Sequence, residues 1–148
     1  MTRAILLIVA LTVMGSEAAD AQSVYQILSM GGLIGTWSSD CAQAASPDYP
    51  RLVFSAPQTG RGSLVYDRGS KGEGTSFTIQ AARDLSSSRL LLHQSLADGS
   101  SLTDLILAKD QGRIRIFSEH VVGADGMPVR DGFIAATGAA TPWLQRCP

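Results

Sequence analysis

From Leu33 to Arg146 the apolar and polar residues alternate with a period of two, the spacing of half-buried β-strands. The alternation is sharpest in Arg113-Ile114-Arg115-Ile116-Phe117-Ser118, where the two isoleucines share one face and the two arginines the other. Phe77 and Ile79 alternate in the same way with Ser76, Thr78 and Gln80. These runs predict strands near Leu33–Ser39, Arg51–Ser55, Ser63–Asp67, Thr75–Ala81, Arg89–Ser95, Leu102–Ala108, Arg113–His120, Val129–Ala135 and Pro142–Arg146. Turn clusters separate them, among them Gly69-Ser70-Lys71-Gly72, Ala97-Asp98-Gly99-Ser100, Asp110-Gln111-Gly112 and Ala124-Asp125-Gly126. Residues 40–50, with Pro47 and Pro50, form the longest irregular stretch and predict a surface loop. Ahead of the strands, Ser23 followed by Val24, Ile27 and Leu28 has helical spacing, and Gly31-Gly32 stops it after about two turns. Closely spaced strands joined by tight turns, with no helices between them, predict an all-β antiparallel meander of eight or nine strands. The expected architecture is a closed barrel with a short helix ahead of it, and a β-sandwich is the alternative that satisfies the same pattern.

The first residues change the picture of where this domain works. Arg3 is a positive n-region, Ala4 to Met14 is mostly apolar, Gly15-Ser16 breaks the run, and Ala19-Asp20-Ala21 offers small residues for cleavage after Ala21. The apolar run is too short to span a hydrocarbon layer of ~30 Å as a helix. The expectation is a cleaved signal peptide over 1–21 and a single domain over 22–148, periplasmic or secreted, with no membrane anchor left after cleavage. Removing residues 1–21 takes away Arg3, Glu17 and Asp20 and leaves a neutral domain. A neutral chain without a basic cluster has no electrostatic footprint for nucleic acid.

The chain has two cysteines, Cys41 and Cys147. In an oxidising compartment an even pair near opposite ends of a domain reads as a disulfide. In a nine-strand meander the first and last strands run the same way, so the far ends that carry the two cysteines can meet when the barrel closes. A sandwich allows the same bond.

Candidate chemistry is thin. An acyl-transfer site needs a nucleophile, a base and an orienting acid. No Gly-x-Ser-x-Gly elbow is present, and the only histidines, His93 and His120, lie on strands that a third strand separates. Parity with Ile114 and Ile116 turns His120 inward and its neighbour Glu119 outward. No spaced set of His or Cys suits zinc, and no acidic loop suits calcium. The glycines of Gly60-Arg61-Gly62 and of 69–74 lack the strand-to-helix context of a phosphate loop and read as turn residues. Arg113 and Arg115 read as a solvated row facing carboxylates. Trp37 and Trp143, the largest apolar anchors, read as core or barrel-plug residues. No catalytic residue, metal or cofactor is assigned.

Gly35-Thr36-Trp37, after a short helical lead-in, resembles the Gly-x-Trp that opens lipocalin-type barrels. The resemblance implies that Trp37 plugs the barrel base, with Gly35 beside it and Arg146 of the last strand packed across it. Gly35-Thr36-Trp37-Ser38-Ser39-Asp40-Cys41 and the ending Thr141-Pro142-Trp143-Leu144-Gln145-Arg146-Cys147 together resemble a family of small exported bacterial β-proteins, over nearly the whole mature chain. That likeness implies fold and compartment rather than activity. The Tyr66–Gly74 hairpin is similar to the inhibitory loop of small periplasmic lysozyme inhibitors, which implies an interaction loop carrying Tyr66, Arg68 and Lys71. Two functions follow as expectations. One is a non-catalytic module that binds a small apolar ligand; the other is a protein-interaction module engaging an extracytoplasmic partner.

Overall fold

The computed structural model describes residues 22–69 and 74–148. The leader over 1–21 and Lys71 lie outside the described residues. One helix, α1 (Val24–Met30), precedes ten strands: β1 (Gly35–Ser38), β2 (Arg51–Ser55), β3 (Gly62–Asp67), β4 (Thr75–Ser86), β5 (Arg89–Leu96), β6 (Leu102–Asp110), β7 (Arg113–Val121), β8 (Val129–Arg130), β9 (Phe133–Ile134) and β10 (Leu144–Arg146). Strands β1 to β7 pair antiparallel in chain order. β10 then pairs with both β7 and β1, which closes an eight-stranded barrel and sets the sandwich aside.

Closure rests on three residues. Leu144 and Gln145 pair with Ile114 and Arg113 of β7, while Gln145 and Arg146 pair with Ser38 and Trp37 of β1. The Cys147 N–H donates to the Thr36 carbonyl at 2.8 Å. Cys41 and Cys147, 106 residues apart in sequence, form a disulfide with a Cα–Cα distance of 5.4 Å. The last strand is antiparallel to the first, contrary to the nine-strand expectation. The predicted strand over Val129–Ala135 is instead a hairpin of two two-residue strands, turned at Asp131 and Gly132, whose φ values are +52° and +81°. That hairpin joins β7 through the ladder pair Glu119–Val129 and through the Gly132 N–H, which donates to the Phe117 carbonyl at 2.7 Å, and it stays outside the barrel wall.

Helix α1 is too short to be stable alone and depends on its ends and its docking. Ser23 Oγ accepts from the Gln26 N–H, and Gln26 Oε1 accepts from the Ser23 N–H, a complete capping box. Val24, Ile27 and Leu28 are buried against the barrel end. Gly62 on β3 lets the helix come close, because a Cβ there would stand 2.9 Å from Val24 Cγ1. Leu28, Leu33, Phe54, Leu90, Leu92 and Leu107, all at most 2% exposed, fill the half of the interior on this side. The disulfide suggests a non-cytoplasmic compartment. Among the described residues, no helix is long and apolar enough to cross a membrane.

Cross-linking across so long a loop acts mainly on the unfolded chain. The double variant Cys41→Ala, Cys147→Ala is therefore expected to lose about 2–5 kcal/mol of unfolding free energy, read as a lower urea midpoint. An unchanged midpoint would show that β10 holds the barrel shut through its hydrogen bonds alone.

Candidate functional site

Interior positions on the side away from α1 leave a cavity of about 270 Å³. Its wall is built from inward residues of successive strands: Leu52, Leu64, Phe77, Leu105, Ile116 and Leu144. Val129 and Ile134 of the β8–β9 hairpin, with Thr141, cover part of its mouth. The Thr141 hydroxyl donates to the Ile116 carbonyl at 2.6 Å and so ties this cover to β7.

Besides Thr141, four polar side chains border the cavity. Gln94 continues the inward set of Leu90 and Leu92 on β5, lies opposite Ile79 and Thr103, and is only 2% exposed. Its Oε1 is buried and has no hydrogen-bond partner. Glu119, half-buried, lies between Leu105 of β6 and Val129 of the hairpin. Burial raises its carboxyl pKa above the ordinary value of 4.5. Tyr66 and Arg68 stand on the β3 side, with the Arg68 guanidinium 5.3 Å from the centre of the Tyr66 ring. In the eight-strand circuit three strands separate β3 from β7 in either direction, so acid and base face each other across the mouth.

The inward position of Glu119 corrects the sequence reading. Leu107 pairs with Ile116 and Ile106 with Ser118, so Phe117 is one residue too many for the ladder. That bulge shifts the parity of everything after it. Glu119 therefore faces inward, and His120 faces outward opposite Asp104. On the same outer wall His93 Nδ1 lies 2.5 Å from Asp104 Oδ1. The two histidines thus flank one carboxylate, remote from the cavity lining.

The base of the barrel gathers three of the residues that the lipocalin resemblance singled out. Trp37 is buried, and its Nε1–H donates to the Leu33 carbonyl at 2.8 Å. Arg146 sits directly opposite Trp37 and runs over Gly35, where a Cβ would stand 3.1 Å from Arg146 Nε. Gly35 also has φ +132°, a backbone conformation that side chains disfavour. Trp143 is not part of this group. Leu144 takes the inward position opposite Ile114, so Trp143 is turned to the outer face and half-buried. There Arg113 and Arg115 approach its ring at 5.3 and 4.8 Å, and aromatic surface meets most of that cationic row. Arg113 also reaches Asp110 at 3.4 Å.

Tyr66 and Arg68, read from the sequence as parts of an interaction loop, line the cavity and its rim. Gln94 and Glu119 were missed. A polar residue at an inward position of the leucine-rich run Leu90-Leu91-Leu92-His93-Gln94 was the signal available for Gln94. The chain matches no protein-family model, no curated protein and no solved structure.

A carboxyl whose folded pKa is raised binds its proton more tightly in the folded than in the unfolded chain. Its contribution to stability is then lost as pH rises from about 4.5 through the raised value. Glu119→Gln should therefore be more stable than the parent protein at pH 7. The two should converge on acidification below the ordinary carboxyl range, as measured by urea melts across pH. A parent protein that is the more stable at pH 7 would mean that its carboxylate has a favourable partner in solution.

Proposed function

We propose that the protein is an exported, non-catalytic barrel that holds a small apolar ligand in the unfilled half of its interior. The single observation that carries this reading is the cavity of about 270 Å³, walled by aliphatic and aromatic side chains. Apolar cavities of ~150 Å³ already admit benzene, and ligand pockets begin near ~300 Å³. One aromatic ring with a short substituent suits this space. Side chains fill protein interiors closely as a rule, so a hollow half beside a tightly filled half is a feature of the fold rather than loose packing. The position of Tyr66 and Arg68 on the cavity rim favours ligand capture over insertion of their hairpin into a partner enzyme.

Export is the second element of the proposal. It is supported by the disulfide and by the layout Arg3, Ala4–Met14, Ala19-Asp20-Ala21. Expression of the full chain in a Gram-negative host should yield a periplasmic product whose first residue is Gln22. Recovery of a product that retains Met1 would remove this element.

Indole is a suitable probe of the cavity. Isothermal titration should give saturable binding of one molecule per chain. Ile116→Trp, which places a ring in the cavity, should weaken that binding at least tenfold while the far-ultraviolet circular dichroism stays unchanged. Indole that fails to bind the parent protein, or binds the variant equally well, counts against an internal site.

A further inference from the structure

The polar groups of the cavity are unequal, and their inequality specifies the ligand's head group. On the wall formed by β5, β6 and β7 the cavity meets the Glu119 carboxyl, which has no ion pair among the described residues, and the Gln94 amide, whose own Oε1 is buried without a donor. The remaining titratable groups that border the cavity are Tyr66 and Arg68 of the β3 side. Arg68 is exposed and lies against the Tyr66 ring, so its charge is solvated. A carboxylate withdrawn from water without a cation is costly, and apolar walls around it cannot offset that cost.

We infer that the occupant is a primary amine carried on an apolar body of about one aromatic ring, its ammonium donating to Glu119 while the ring packs against Leu52, Leu64 and Phe77. This rests on the cavity being a ligand site. A neutral alcohol would satisfy a lone pair but leave the carboxylate charge uncompensated. A carboxylate ligand would bring like charge to Glu119 and would have only the solvated Arg68 at the mouth to meet it. The ammonium alone supplies both a positive charge and N–H donors to the Glu119 carboxylate.

Three probes of one shape separate these cases: 2-phenylethylamine, 2-phenylethanol and 3-phenylpropanoate, titrated calorimetrically at pH 7. The amine is expected to bind at least tenfold more tightly than either of the others. Glu119→Gln should bring the amine to the level of the alcohol, while affinity for the alcohol itself changes less than threefold. If the alcohol or the propanoate binds the parent protein as tightly as the amine, or if Glu119→Gln keeps the amine preference, the head-group inference fails and the apolar site stands. If none of the three binds, the apolar site fails and takes the inference with it.

Discussion

The fold depends on how a long meander is shut. Seven strands pair in sequence and would leave β1 and β7 as open edges, each a row of unpaired backbone donors and acceptors. A strand of only three residues, β10, occupies both edges at once. So few ladder bonds closing so large a sheet make a weak joint. The Cys41–Cys147 bond and the Cys147 N–H to Thr36 contact lie at that joint, where a covalent link adds most. Residues 39–41 turn back along β10 to reach it, which explains how Cys41 meets Cys147 although the first and last strands run in opposite directions.

With the wall closed, the interior divides into two unlike halves. One is sealed from below by a capped two-turn helix and by Trp37, whose indole is anchored to Leu33 and whose neighbour Gly35 leaves room for Arg146. Leucines and Phe54 complete that half. The other half has bulky residues around its circumference but none across its middle, and the β8–β9 hairpin for a cover. Rigidity at one end holds the geometry of the hollow end, an arrangement suited to a site that must stay formed while it is empty.

Much of this was legible in the residues. Period-two alternation placed the barrel strands, the turn clusters placed most of their connections, and Ser23 with Gly31-Gly32 bounded the helix. What stayed illegible has physical causes. Val129–Ala135 carries the composition of a strand, but Asp131-Gly132 in its middle turns the chain, so the segment folds on itself. Trp143 looks like core by size alone. Its burial is decided by Leu144, which takes the inward position and leaves the larger ring to the arginines outside. A cavity is a property of several strands together, and no single segment announces it. Tyr66, Phe77, Gln94 and Leu144 meet around one space only once the barrel has closed.

The supernumerary Phe117 has a consequence for how such interiors diverge. Glu119 and His120 are chain neighbours, and the count of residues ahead of them, rather than their identity, selects which one faces the hollow half. The same residues in an unbulged ladder would put Glu119 opposite Asp104 and His120 opposite Thr103, exchanging a carboxylate for an imidazole in the wall with every lining residue of the other strands untouched. The acid–base character of the chamber thus depends on a bulge, which substitution patterns taken position by position would not register.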